Sequence, residues 1–238
     1  MKIAGLQKMT LIDYPGKIAA TVFTSGCNFR CPFCHNPELV NKTQGVNLIS
    51  ETQLLDFLES RRKYLDAVCF TGGEPLLHED IIDLLKKVKA MGFLVKIDTN
   101  GTNPELLKKI VNEKLADYVA MDIKAPLDWL SYKKTINVDN KELLDKVKES
   151  VKFLLSVDDK IDCEFRTTVV PKFLKLKDIE IIAQQIKGAK KYSIQQFINS
   201  GKMIDKTLVN VKPYSKEDLE EACEIARKYV GKCYLKNV

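Results

Sequence analysis

The sequence predicts an α/β fold built on a parallel sheet, and three observations predict it. Six apolar stretches rich in β-branched and aromatic residues recur along the chain, an amphipathic helical pattern follows each, and no linker interrupts the alternation. Strands that alternate with helices imply a parallel sheet, and six such units leave open a doubly wound sheet or an incomplete barrel. In both architectures chemistry collects at the carboxyl ends of the strands.

Residues 1–17 form an N-terminal extension with a turn at Asp13-Tyr14-Pro15-Gly16, where Pro presets φ and Gly accepts a positive φ. Strands are expected over 18–23, 67–71, 93–99, 118–124, 161–170 and 192–198. The helix over 50–64 opens with Ser50 and Gln53 at capping-box spacing, and the helix over 80–91 is closed by Gly92. The helix over 103–114 starts Asn103-Pro104, a cap followed by Pro at the first helical position. Further helices are expected over 141–156, 178–187 and 215–230, the last belonging to a C-terminal helix and strand over 213–238. Residues 125–140 read as a long connection holding Trp129 and Tyr132, either packed in the core or lining a substrate-facing loop. Residues 1–238 read as one domain, since α/β barrels commonly use more than 200 residues as a unit.

Hydrophobic residues make up 45% and charged residues 29% of the chain, which excludes a disordered or fibrous protein. No run reaches the roughly 18 apolar residues of a membrane helix, and residues 1–10 lack the apolar stretch of a secretory signal, so a cytoplasmic protein without a membrane partner is expected. The net charge of +6 is spread along helices such as 215–231, a solvated face rather than a nucleic-acid groove. Three of the seven cysteines lie within eight residues and four are scattered, a pattern of metal or redox chemistry rather than a disulfide framework.

Those three sit just after the first strand, in Gly26-Cys27-Asn28-Phe29-Arg30-Cys31-Pro32-Phe33-Cys34-His35-Asn36. A cubane cluster with four irons and three nearby thiolates leaves one iron open to an exogenous ligand. The competing reading is a closed zinc site completed by His35. His35 directly follows Cys34, however, whereas zinc ligands usually pair two to four residues apart. Cys69, Cys163, Cys223 and Cys233 read as core residues.

The other strand ends carry Phe70-Thr71-Gly72-Gly73-Glu74-Pro75, Asp98-Thr99-Asn100-Gly101 and Met121-Asp122-Ile123-Lys124. Two glycines permit unusual backbone angles and close ligand approach. Acidic residues in apolar strands need a partner or a cation. Arg166, in the fifth strand, fits a structural ion pair or carboxylate binding equally well. His78 reads as part of a helix entry.

Together CNFRCPFCHN, FTGGEP, DTNG and MDIK resemble the radical S-adenosylmethionine superfamily, and within it the activating enzymes of glycyl-radical proteins. The segment GLQKMTLIDYPGKIAATVFTSGCNFRCPFCHNPELV is similar to the longer-form activating proteins of anaerobic ribonucleoside-triphosphate reductase. The resemblance extends over most of the chain and implies an incomplete (β/α)6 TIM-like barrel. It implies that Cys27, Cys31 and Cys34 carry catalysis through a [4Fe-4S] cluster, whose fourth iron is chelated by S-adenosylmethionine. Gly72, Gly73 and Glu74 would receive the methionine ammonium, and Phe33 would set backbone polar groups against the adenine. Asp98 and Asp122 would hold K⁺ or Na⁺ beside the methionine carboxylate, with Lys124 and Arg166 as further cofactor contacts. A histidine that pyruvate formate-lyase activases place after strand six has no equivalent in Gln195-Gln196-Phe197-Ile198-Asn199. The implied partners are a glycyl-radical protein, which gives up a glycine Cα hydrogen, and a flavodoxin or ferredoxin-like electron donor. One alternative is a radical enzyme acting on a small biosynthetic molecule; another is a zinc-stabilised binding protein.

Overall fold

The computed structural model describes residues 1–40, 48–199 and 201–238, which fall into two units. One unit comprises Met1–Asn28, Glu38–Thr99 and Asn103–Val119; the other comprises Phe29–Pro37, Asn100–Thr102 and Ala120–Val238.

In the first unit β1 (Ile3–Thr10) runs antiparallel to β2 (Ala19–Thr24), pairing Ile3 with Thr24 and Thr10 with Ala19. The expected turn joins them: Lys17 N donates to the Tyr14 carbonyl at 3.2 Å and Gly16 takes a φ of +71°. The extension thus holds a strand, which its sequence conceals because Gln7, Lys8 and Met9, in the second half of β1, are exposed on both faces. After the short helix α1 (Pro37–Val40) comes α2 (Glu51–Arg61), opened by the expected capping box between Ser50 and Gln53. Next are β3 (Ala67–Gly72), α3 (Ile81–Ala90), β4 (Leu94–Thr99) and α4 (Pro104–Asn112). β3 lies parallel to β2, with Thr24 opposite Gly72, and β4 lies parallel to β3. Val68, Phe70, Val95 and Ile97 are wholly buried, as expected of parallel strands covered on both faces.

β5 (Tyr118–Asp122) carries the chain into the second unit, which continues with α5 (Trp129–Ile136), α6 (Lys141–Val157), β6 (Asp162–Val169) and α7 (Leu176–Gln185). It ends with β7 (Lys191–Gln196), α8 (Lys216–Ala226) and β8 (Lys232–Lys236). β6, β7 and β8 are parallel neighbours, with Phe165 opposite Tyr192 and Tyr192 opposite Cys233. The connection expected over 125–140 instead contains α5, capped by Asp128 and stopped by Asn137 at φ +51°. Two turns holding Trp129, Tyr132, Thr135 and Ile136 give little propensity signal; burial of Tyr132 and Ile136 holds the helix. Each strand from β2 to β7 is followed by a helix, so the six expected β/α units are present. Among the described residues no helix is long and apolar enough to cross a membrane.

Candidate active site

In the first unit the glycine turn after β3 is fastened to the chain leaving β2. Gly73 N donates to the Thr24 carbonyl at 2.9 Å, and Glu74 N donates to the Gly26 carbonyl at 2.8 Å. Neither glycine can be replaced in place. Gly72 has a φ of +115°, and a Cβ there would stand 2.4 Å from Thr24 N; a Cβ on Gly73 would stand 2.0 Å from Gly26 O. The chain entering the cysteine loop is held from two more sides: Gly26 N donates to the Leu39 carbonyl at 2.6 Å, and His78 Nε2 donates to the Ser25 carbonyl at 2.9 Å.

Glu74 is 1% exposed, and its Oε1 accepts from Leu76 N at 3.0 Å and from Thr99 Oγ1 at 2.7 Å. The carboxylate therefore caps the 3-10 turn Pro75–Leu77 and links it to the end of β4. Asn103 ties the same turn to α4 by donating its amide to the Leu76 carbonyl at 2.8 Å. Asp98 projects from β4 and is paired with the ammonium of Lys96, two residues back on the same strand.

In the second unit the rest of the cysteine loop is shaped by its own backbone. Cys34 N donates to the Cys31 carbonyl at 3.0 Å, Arg30 N to the Ile136 carbonyl at 2.8 Å, and Asp205 N to the Pro32 carbonyl at 2.9 Å. Phe29 meets the ring of Tyr132 edge-on at 6.3 Å, and Phe33 packs on Phe173 at 5.9 Å. Cys31 is buried, Cys27 and Cys34 are half-buried, and none of the three is in a disulfide. His35 turns to the Ile198 carbonyl, with Nε2 at 3.0 Å, and stacks on Phe197.

Asp122, Lys124 and Arg166 are brought together here. Asp122 Oδ2 accepts from Lys124 Nζ at 2.8 Å, and Oδ1 accepts from Arg166 Nε at 2.9 Å. Burial alone would raise the Asp122 pKa, but the two cations outweigh it and hold the carboxyl well below its usual range. Lys124 is displaced upward in turn: burial opposes its charge, while Asp122 and then Cys31 favour it. Lys124 therefore lies in the field of a loop cysteine.

The three cysteines fit an iron–sulfur cluster by donor chemistry, since thiolates are the ligands such clusters take. Among the described residues no three His, Cys, Asp or Glu side chains already form a metal-holding group. Of the outlying cysteines, Cys69, Cys163, Cys223 and Cys233 are all buried, as core residues should be.

Comparison with known proteins matches this arrangement to a class. The model of the radical SAM superfamily fits residues 21–186, and the chain belongs to that family. Its members use a [4Fe-4S] cluster and S-adenosylmethionine, and this chain is a radical SAM enzyme. A protein of Methanocaldococcus jannaschii assigned as a glycyl-radical enzyme activating enzyme is 34% identical over 240 residues, covering 99% of this chain and 96% of its own. The pyruvate formate-lyase-activating enzyme of Clostridium pasteurianum is 40% identical over 128 residues, 52% of each chain. A 7-carboxy-7-deazaguanine synthase of Clostridium acetobutylicum is 28% identical over 195 residues, 81% of this chain and 84% of its own. In fold the chain is similar to QueE from Escherichia coli, with a TM-score of 0.58 and 16% identity over 99% of this chain and 93% of that one. SuiB from Streptococcus suis bound to S-adenosylmethionine gives a TM-score of 0.67 at 16% identity over 90% of this chain and 49% of that one. The α/β fold expected from the motifs is the fold of this family.

Sequence reading missed three supports of the site. His78 anchors Ser25 across 53 positions, a link no local pattern announces. Thr99 lies inside DTNG with no sequence signal for its role, yet it holds Glu74. Lys96 sits within an apolar strand, although a lysine two positions from an aspartate on a strand shares its face.

Proposed function

We propose that the chain activates a glycyl-radical enzyme by removing a hydrogen atom from a glycine Cα of that partner. The similarity over nearly the full length of both chains to a protein assigned to glycyl-radical activation carries this reading. A [4Fe-4S] cluster held by Cys27, Cys31 and Cys34 and reduced by a flavodoxin or ferredoxin-like donor would supply the one electron needed to cleave S-adenosylmethionine to methionine and a 5′-deoxyadenosyl radical, which would take the hydrogen.

The chain's own residues bind, orient and exclude. Cys27, Cys31 and Cys34 would hold three irons. The backbone of Gly72 and Gly73 would receive the methionine ammonium, and Glu74 fixes the turn that presents it. Asp122 orients the two cations Lys124 and Arg166, whose charge would suit the methionine carboxylate. Phe33, buried against Phe173, would set its backbone beside the adenine. No side-chain acid or base is needed for hydrogen abstraction; positioning and exclusion of water are. Anaerobic ribonucleoside-triphosphate reductase is the partner favoured by the sequence around Leu11-Ile12-Asp13-Tyr14-Pro15-Gly16 and the cysteine loop.

A second reading keeps the cofactors and replaces the partner with a small molecule; similarity to a deazaguanine synthase over most of the chain favours it. Electron paramagnetic resonance separates the two. Reduced enzyme with S-adenosylmethionine and the reductase should give a glycyl doublet that vanishes on Gly→Ala substitution in the partner. Turnover of a small metabolite, with no radical on any glycyl-radical protein tried, would favour the second reading.

A further inference from the structure

The alkali cation implied by the resemblance does not fit the aspartates meant to hold it. Asp122 already accepts from Lys124 and Arg166 on its two oxygens. Asp98, with a side chain 16% exposed, is paired through Oδ1 with the ammonium of Lys96, whose own side chain is 3% exposed. Among the described residues Lys96 is the one buried lysine, and such a group is stable there only with a counter-charge. The ring of Tyr118 gives it a second support, with Nζ 5.9 Å from the centroid.

We propose that Lys96 takes the place of the alkali ion: its ammonium neutralises Asp98 from within β4, so the enzyme binds S-adenosylmethionine without requiring K⁺ or Na⁺. The inference rests on Asp98 belonging to the cofactor site. A lysine and an aspartate at positions i and i+2 of one strand lie on the same face, so the pair is set by the strand itself and needs no metal to assemble. The Lys96 and Asp98 pair is neutral, and both oxygens of Asp122 already accept from protein cations. Glu164, deeper along β6, is separately matched by Lys236. An added monovalent ion would have to displace a protein cation or stand beside it, and like charges in a partly buried place repel strongly.

The test is calorimetric titration of S-adenosylmethionine into cluster-loaded protein in potassium, sodium and choline chlorides at equal ionic strength. The wild-type Kd should agree within about twofold across the three salts. Lys96→Met should bind about tenfold more weakly in choline and recover most of the loss in potassium, since a small ion can then enter beside Asp98. A wild-type Kd that falls about tenfold on adding potassium would overturn the proposal, as would Lys96→Met binding like wild type in choline. If Lys96→Met does not fold, the wild-type series decides alone. Cluster-loaded wild type that binds S-adenosylmethionine in none of the salts would instead overturn the cofactor-site reading, and this inference with it.

Discussion

The glycine turn of the first unit and the charged group of the second are built on opposite principles. At Gly72, Gly73 and Glu74 the backbone does the work: main-chain amides grip Thr24 and Gly26, and there is no room for a single added carbon. At Asp122, Lys124 and Arg166 side-chain charge does the work, and the backbone needs no special geometry. The first construction should fail completely when anything is added to it. The second should fail by degrees when one member is removed, and partly recover when its counterpart goes too.

The largest effect is therefore expected from adding one methyl group. Gly73→Ala should abolish S-adenosylmethionine cleavage and depress iron incorporation, because its Cβ would meet the Gly26 carbonyl, a backbone atom that cannot step aside. Gly92→Ala is the control. Its φ of +89° is unfavourable for alanine but its surroundings are open, so the cost should be about 1 kcal/mol in a denaturant melt with iron content unchanged. Equal behaviour of the two variants would dissolve the contrast.

Loss of a loop thiol comes next. Cys31→Ala should leave protein that cannot retain the cluster after anaerobic reconstitution, whereas Cys163→Ala and Cys223→Ala should keep it. Four irons retained per chain in Cys31→Ala would remove that cysteine from the ligand set.

For the charged group, Asp122→Asn should cost about 3 kcal/mol, because it removes the carboxylate to which Lys124 and Arg166 both donate. The Asp122→Leu, Arg166→Met pair should cost less than the sum of its single variants, which a double-mutant cycle by chemical denaturation would measure. The pH dependence follows the same charges. The pKa of Asp122 lies below its unfolded value, so its contribution is present above about pH 4 and lost only as the pH falls through the lower folded value. The pKa of Lys124 is raised, so its contribution is present up to about pH 10 and lost only as the pH rises through the higher folded value. Binding of S-adenosylmethionine should accordingly show no titration from this pair between about pH 5 and 9. A step in Kd there that disappears in Asp122→Asn would show that the group is not locked as described.

Much of this organisation is legible in the sequence because local chemistry announces it. Ser50 with Gln53, Asn103 with Pro104 and Gly92 after α3 all mark helix ends where the structure places them. The same holds for GGEP, DTNG and MDIK, which fall at strand ends. What escapes is what depends on distant partners. β1 is hidden because its second half is exposed and it is stabilised by pairing with β2, and α5 because Tyr132 is helical only by virtue of its burial. Lys96 and His78 are ordinary polar residues until the fold supplies Asp98 and the Ser25 carbonyl.

The smallest expected effect separates the two constructions within one residue. Thr99 gives the glycine turn a hydroxyl brace, a 2.7 Å bond to Glu74 Oε1, while Leu76 N donates to the same oxygen at 3.0 Å. Thr99→Val keeps the shape and the β-branch that suit the end of β4 and removes only that donor. The buried carboxylate keeps its bond from the Leu76 amide, so the loss should be about 1 to 2 kcal/mol of stability rather than a collapse of the turn. If the turn is held chiefly by its backbone grip on Thr24 and Gly26, the cluster should load normally and S-adenosylmethionine should bind only a few fold more weakly. Iron analysis, a urea melt and calorimetry on one preparation measure all three quantities. Failure of Thr99→Val to load iron would mean that the carboxylate, and not the backbone, holds the glycine turn in place, and the two regions would then be built alike.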